Sequence, residues 1–99
     1  MLVTGRSMAI SYDPQKRALT LANRGLDFED AHYVFEGRHL QIEDDRFDYG
    51  EVRWQTVGRL GNVVVMVVWT ARGDGRHVIS MRTCNARERQ RYLPRLDGS

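Results

Sequence analysis

The segment from Thr70 to Tyr92 concentrates residues that are suited to chemistry at a phosphate group. It holds six arginines, at positions 72, 76, 82, 87, 89 and 91, against two acidic residues, Asp74 and Glu88. A guanidinium group is planar, permanently charged and able to donate paired hydrogen bonds to phosphate oxygens. The residue pattern is typical of a strand end, a Gly-rich turn, a second strand and a helix, so one small unit would present many such groups.

Four arginines are candidates for catalysis, because the predicted sheet could bring them together. They are Arg53 on a strand, Arg59 in the turn after it, and Arg72 and Arg82 at the ends of two later strands. When the 2′-hydroxyl of RNA attacks its own phosphate, the reaction passes through a phosphorane that carries additional negative charge. Preorganised arginines stabilise such charge. The protein then needs only to align the RNA and to move protons.

Two residues are candidates for the proton transfer, Glu51 and His77. His77 is the histidine that lies inside the arginine-rich half of the chain, and histidine changes its charge near neutral pH. Each residue also has a simpler interpretation. His77 can pack as a strand residue beside Ile79 and Met81, and Glu51 can pair with a neighbouring arginine.

Five further residues are candidates for RNA binding: Trp54, Arg76, Arg87, Arg91 and Tyr92. The rings of Trp54 and Tyr92 could stack on bases. Core packing is the favoured interpretation of Trp54 and an equal alternative for Tyr92. Arg87 and Arg91 are four residues apart on one predicted helix face, which suits either a phosphate contact or an ordinary solvated surface.

The sequence predicts no metal site and no cofactor. His32, His39 and His77 do not form a close-spaced ligand pair with one another or with Cys84, the single cysteine. EF-hand, Walker and GxGxxG patterns are also absent. A lone cysteine cannot form an internal disulfide, and we expect Cys84 to be a buried structural residue.

Composition predicts one soluble cytoplasmic domain over residues 1–99, with frayed tails at about 1–7 and 95–99. The chain is 41% hydrophobic and 28% charged, as expected for an ordinary globular domain. No apolar run approaches the ~20 residues of a membrane span, and the first residues lack a secretory signal. Charge is segregated, with a net −7 over residues 27–51 and +7 over residues 52–95. That segregation predicts a polyanion-binding face beside a repelling one.

A helical hairpin is predicted over residues 13–36. Asp13-Pro14 supplies an N-cap and a proline at the first helical position, and Gly25 ends the helix. A second helix begins at Asp27. The first helix has apolar residues at helical spacing, which predict a core-facing stripe: Ala18, Leu19, Ala22 and Leu26.

The remaining elements are strands and one last helix. After a first strand over 8–12, strands are predicted over 38–42, 52–57, 63–69 and 76–82. A polar loop is predicted at 43–50, and turn residues lie at 58–62 and 73–75. The β-branched run at 63–69 predicts a central strand buried on both faces. Asn85 and Glu88 form a capping-box start for a helix that Pro94 should end. We therefore predict an α+β fold in the order β-α-α-β-β-β-β-α, with helices on one face of an antiparallel sheet and the other face open to a partner or substrate.

From about Tyr12 to Tyr92 the chain resembles the BrnT family of bacterial toxins. The ordered set of motifs carries the resemblance, and no single motif does. It comprises Asp13-Pro14 with Lys16, Gly25-Leu26, Phe28-Glu29-Asp30-Ala31, Val34-Phe35, Glu51-Val52-Arg53, Val57-Gly58-Arg59, Thr70-Ala71-Arg72, Ile79-Ser80-Met81-Arg82, Ala86, Glu88-Arg89 and Tyr92.

The resemblance implies a fold similar to the RelE toxins and a metal-independent ribonuclease of a type II toxin–antitoxin system. It also implies a BrnA-like antitoxin partner, expected to have a ribbon-helix-helix fold and to bind operator DNA through the complex. The chain departs from the family pattern at Asn23-Arg24, where Lys-His is usual, and at His77, where a basic residue is common. We do not transfer the role of the missing histidine to Arg24. A non-enzymatic module that binds nucleic acid or antitoxin through the same fold stays an alternative.

Overall fold

The computed structural model describes residues 9–98, which form a five-stranded sheet and three α-helices. The elements are β1 (Ile10–Tyr12), α1 (Pro14–Arg24), a 3-10 turn (Phe28–Asp30), α2 (Ala31–Glu36), β2 (His39–Glu43), β3 (Trp54–Leu60), β4 (Val63–Arg72), β5 (Gly75–Thr83) and α3 (Ala86–Leu96). The strand order is β1-β5-β4-β3-β2. β1 runs parallel to β5, and every other pair is antiparallel. The α+β class and the element order are confirmed, while Met8 of the predicted first strand lies outside the described residues.

Helix α1 has the predicted bounds but not the predicted buried stripe. The Asp13 carboxylate accepts the Gln15 N–H, and Gly25 closes the helix in the left-handed conformation at φ 69°. No residue of α1 is buried, and Leu19 is 62% exposed. The stripe prediction was wrong because α1 lies along the edge of β5, where Arg24 Nη1 donates to the Met81 carbonyl. Of the four stripe positions, only Leu26, which follows the helix, enters the core.

Strand β3 begins two residues later than predicted, and it extends three residues farther because Gly58 is a packing residue. It pairs with Val65 in the middle of the β3–β4 ladder, and the turn contains only Gly61 and Asn62. A Cβ at position 58 would lie 2.9 Å from Val34 Cγ1, so glycine lets α2 approach the sheet closely. The predicted turn over 58–62 was therefore too long.

The helices cover both faces of the sheet, so their predicted placement on one face was wrong. On the first face, α2 and the 3-10 turn pack against alternate residues of β4, including Val65 and Val67. On the second face, Tyr92 and Leu96 of α3 pack against Val64 and Met66. β4 is buried on both sides in its first half, as its continuous apolar run predicted.

The C-terminal helix α3 continues past Pro94, although proline was predicted to end it. Asn85 and Glu88 form the predicted capping box. Leu96 is 1% exposed in the second core cluster, and this burial keeps the last turn in place. The predicted fraying from residue 95 is thus wrong for Leu96. Within the described residues, no helix is long and apolar enough to cross a membrane.

Candidate functional site

The second face of the sheet is only half covered by α3. Val64 and Met66 lie beneath the helix. Farther along β4, strand alternation places three more residues on the same face: Val68, Thr70 and Arg72. Val68 remains partly exposed, unlike Val64 and Met66. Thr70 is 3% exposed and its hydroxyl donates to the Val52 carbonyl, whereas Arg72 is exposed. The part of this face around Val68 and Arg72 is therefore accessible to a ligand.

A β-bulge in β5 brings His77 and Arg82 onto this same face. Val68 pairs with Ser80, but the next residue, Trp69, pairs with Val78, which leaves Ile79 as an extra residue on β5. His77 and Arg82 are five positions apart and would face opposite sides of a regular strand. Because of the bulge, His77 pairs with Thr70 and Arg82 with Met66, both of the second face.

His77 is half-buried, and its Nδ1 lies 2.9 Å from Ser11 Oγ on the neighbouring strand. Burial lowers the pKa of His77, and the nearby Arg72 guanidinium lowers it further, whereas the Glu51 carboxylate raises it. The imidazole is therefore neutral at physiological pH and suited to accept a proton. When Nδ1–H donates to Ser11, the lone pair of Nε2 is available for this purpose.

Glu51 and Arg53 form an ion pair, and Glu51 lies close enough to His77 to raise its pKa. Arg53 Nε donates to Glu51 Oε2 at 3.1 Å, and the Arg53 guanidinium lies 4.0 Å from the centre of the Tyr49 ring. Glu51 therefore pairs with a neighbouring arginine, one of the two interpretations that its position in the sequence allows. We call Glu51, Arg53, Arg72 and His77 the histidine cluster.

Arg82 shares the face of the histidine cluster but is bound elsewhere. It makes two hydrogen bonds of 2.8 Å to the Glu88 carboxylate at the start of α3. Arg82 pairs with Met66 and His77 with Thr70, a separation of about 13 Å along the strand. Arg72 and Arg82 were expected to share one end of the sheet, but they lie near opposite ends of the β4–β5 hairpin and share only its face.

Arg59 is not brought together with the other predicted catalytic arginines. It is six residues beyond Arg53 on β3, about 20 Å along the strand. Its Nη2 donates to Asp97 just after α3 at 2.7 Å. The structure therefore places Arg59 beneath the end of that helix.

The predicted RNA-binding residues separate into two groups. Arg87 and Arg91 are exposed on α3, and Arg91 is close enough to Glu88 to lower the pKa of its carboxyl.

The other three predicted RNA-binding residues are packed against the rest of the protein. Arg76 lies on the first face, with its guanidinium 4.2 Å from the Phe35 ring centre, and its Nε is buried without a hydrogen-bond partner. Trp54 is half-buried and packs against Trp69, and Tyr92 is 7% exposed in the core. Base stacking does not fit the position of Tyr92, since its ring is covered.

Sequence reasoning missed Ser11, Tyr49 and Arg46. Ser11 orients His77 only because β1 pairs with β5, which are far apart in the chain. Tyr49 and Arg46 lie in the loop over 44–53, which seemed too polar for the core. One carboxylate in it, Asp44, is nevertheless buried and accepts two hydrogen bonds from Arg46. Within the acidic run at 43–45, the arginine two residues after Asp44 was the available signal.

Across residues 9–98, no group of three or more histidine, cysteine or acidic side chains is close enough to hold a metal ion. Cys84 is free and 2% exposed, and burial raises the pKa of its thiol. The buried structural role that the sequence predicted for Cys84 is confirmed.

The chain is thus a small α+β domain with a half-buried histidine near an arginine on one sheet face. The family described as the ribonuclease toxin, BrnT, of type II toxin–antitoxin systems matches residues 12–88. The chain belongs to this family of ribonuclease toxins, which confirms the resemblance seen in the sequence. A crystal structure of the Brucella abortus ribonuclease toxin BrnT, at 1.1 Å resolution, is similar with a TM-score of 0.65 and 28% identity, covering 80% of this chain and 99% of that one. No curated protein gives a significant sequence match.

The Arg82–Glu88 pair predicts how stability depends on pH. The Arg82 hydrogen bonds lower the pKa of Glu88 from 4.5 to about 2. The pair therefore stabilises the fold fully above pH 4.5 and loses its effect as the pH falls toward about 2. We expect Glu88→Gln, which preserves the capping-box acceptor, to lower the free energy of unfolding at pH 7 by about 1 kcal/mol, because Arg82 is partly solvated.

Urea unfolding of both proteins between pH 7 and pH 2 measures this effect. The difference should shrink on acidification, and a difference that persists unchanged at low pH would contradict the assignment. Glu43→Gln, on the exposed edge strand β2, is the matched control and should unfold like the wild type.

Proposed function

We propose that this protein is a metal-independent endoribonuclease toxin whose reaction takes place at the histidine cluster. The observation that carries the proposal is the position of His77, which is neutral, half-buried and 2.9 Å from Ser11 Oγ, and which lies close enough to Arg72 and Glu51 for both charges to shift its pKa. Arg53 is paired with Glu51. These groups together can accept a proton and neutralise a phosphate.

In the proposed reaction His77 takes the proton of a ribose 2′-hydroxyl. The 2′-oxygen forms a bond to phosphorus, and the bond from phosphorus to the 5′-oxygen of the next nucleotide breaks. The leaving oxygen takes a proton from water, and His77 returns its proton to the hydroxide that this leaves, so the base is regenerated. The products end in a 2′,3′-cyclic phosphate and a 5′-hydroxyl. Arg53 and Arg72 stabilise the phosphorane, and Glu51 fixes the direction of the Arg53 guanidinium.

Arg82 has a different role in this scheme, because it lies about 13 Å along the face from His77. We assign it to a neighbouring phosphate of the same RNA, with exposed Arg91 and Arg87 of α3 beyond it. An RNA strand that follows the open face toward α3 would meet these groups in order. Arg59, Arg76 and Tyr92 lie away from this path.

Incubation of the purified protein with end-labelled RNA in excess EDTA tests the reaction. We expect fragments with cyclic phosphate ends, formed at the same rate with and without EDTA. A mobility shift without fragments would show a binding module instead, and its affinity would weaken steeply with salt. Fragments that appear only when Mg²⁺ is supplied would overturn metal independence alone.

We propose further that an antitoxin of the BrnA type neutralises this toxin in the cytoplasm. A type II toxin–antitoxin family implies such a partner. Its ribbon-helix-helix fold and its operator binding through the complex are part of the same proposal. Induced expression of the chain alone should arrest growth, and coexpression with the product of a neighbouring gene should restore it. Normal growth with abundant soluble wild-type protein would count against a toxin.

A further inference from the structure

The loop between β2 and β3 carries an exposed aromatic ring beside the histidine cluster. Phe47 is 69% exposed. Its ring centre lies 5.9 Å from that of Tyr49 in an edge-to-face arrangement, and the Tyr49 ring lies under the Arg53 guanidinium at 4.0 Å. Since Arg53 pairs with Glu51, one series of contacts joins the exposed ring to the cluster.

The loop is held in one shape by a buried carboxylate. The Asp44 side chain is 1% exposed and accepts two hydrogen bonds from Arg46, at 2.7 and 2.9 Å, and a longer one of 3.3 Å from the Tyr49 hydroxyl. These hydrogen bonds lower the pKa of Asp44, with Arg46 as the main cause, so the carboxylate is ionised at neutral pH. At the far end Asp48 accepts the Gly50 N–H, and Gly50 adopts a positive φ of 73°. The loop thus holds Phe47 in solvent although water disfavours an exposed phenyl ring.

The charges around Phe47 indicate which part of a nucleic acid would meet it. Arg46, next to Phe47 in the sequence, is exposed but paired with Asp44. Asp45 and Asp48, which flank Phe47 in the sequence, are also exposed. Their carboxylates repel a phosphate, whereas the arginines of the cluster attract one. A bound strand would therefore turn its backbone toward Arg53 and Arg72 and a base toward the loop.

We propose that Phe47 is a stacking platform for one nucleobase of the RNA substrate, next to the nucleotide whose phosphate lies at the histidine cluster. This inference rests on the proposed ribonuclease function. Every base has a π face, so the platform accepts any base and favours those that stack strongly. It acts on binding and alignment, and the chemical step is left to the cluster.

The test compares steady-state cleavage of a short single-stranded RNA by the wild type, Phe47→Ala and Phe47→Trp. We expect Phe47→Ala to raise KM about 5- to 150-fold, the effect of losing one base–aromatic stack, with little change in kcat. Phe47→Trp should restore the wild-type KM. Tyr33→Ala is the matched control, because Tyr33 is an exposed aromatic residue, 56% accessible, on α2 across the sheet.

A set of RNAs that each carry one abasic nucleotide identifies the contact itself. At the position that stacks on Phe47, removal of the base should weaken binding to the wild type but have almost no further effect on Phe47→Ala. A merely structural role of the loop would not produce this position-dependent loss of additivity.

The possible outcomes separate the two proposals. A wild type that does not cleave RNA would refute the proposed function, and the abasic series could still be measured by binding. If the wild type cleaves RNA and Phe47→Ala has the same KM as the wild type, the platform alone is overturned. The same holds if Phe47→Ala is as sensitive as the wild type to the loss of a base at every position. An unchanged KM combined with weaker antitoxin binding by Phe47→Ala would assign the ring to the protein partner instead.

Discussion

Replacement of His77 with glutamine should lower kcat for RNA cleavage about 10²- to 10⁴-fold, the usual contribution of a general base. Glutamine can keep a hydrogen bond to Ser11 but cannot accept the 2′-hydroxyl proton. The side chain is half-buried on a strand and outside both core clusters, so the variant should fold. Single-turnover cleavage, together with circular dichroism of the same preparation, measures both effects.

The pH profile distinguishes a base from a structural residue. Burial, aided by Arg72, lowers the pKa of His77, and the base must be neutral to act. The wild-type kcat/KM should therefore rise with pH through a pKa below about 6.5 and then level off. His77→Gln should lack this acidic limb. His32→Gln, on α2 at the opposite face, should keep it, and retention of the limb by His77→Gln would refute the assignment.

Replacement of Arg72 with alanine should lower kcat about 10²- to 10³-fold, as expected when one preorganised group that stabilises transition-state charge is lost. Arg72 is exposed near the end of β4, so its removal should not disturb the core. Growth arrest should be relieved while soluble protein still accumulates. Arg95→Ala, which removes an exposed arginine in the last turn of α3, should leave kcat and toxicity unchanged.

Arg72→Ala also has an expected effect on His77. Loss of the nearby positive charge should raise the pKa of His77, because Arg72 is one cause of its lowering. The acidic limb of kcat/KM should therefore move to higher pH in Arg72→Ala, in addition to the fall in rate. A fall in rate with an unmoved limb would place Arg72 away from the histidine. Arg82→Ala is a less informative variant, since it also breaks the ion pair with Glu88.

Local signals in the sequence were sufficient to predict most elements of the fold. Asp13-Pro14 and Gly25 fixed both ends of α1, and the Asn85–Glu88 capping box fixed the start of α3. These features act over a few residues and depend little on the rest of the chain. Gly58 and Pro94 are the exceptions. Gly58 lies within a strand because it allows the close approach of Val34, and α3 continues past Pro94 because Leu96 is buried.

From residue type and position, the sequence named Glu51, Arg53, Arg72 and His77 as candidates for the site, but it did not predict their arrangement. Their catalytic roles stay predictions. The sequence could not separate these residues from Arg59, which follows Arg53 by six residues, about 20 Å of extended chain. It also missed Phe47 and Tyr49, because their positions depend on a loop organised by the buried Asp44.

The sequence alone determined the family, the element order and the concentration of arginine in the second half of the chain, since composition, periodicity and caps are local properties. Only the tertiary structure decided which face each side chain occupies. Strand alternation places neighbours such as Arg76 and His77 on opposite sides, but it does not say which side α3 will cover. The bulge at Ile79 then reverses the alternation, so that Arg82 joins His77 on the open face. That reversal depends on pairing with β4, a contact between distant parts of the chain, and so it appears only in the folded protein.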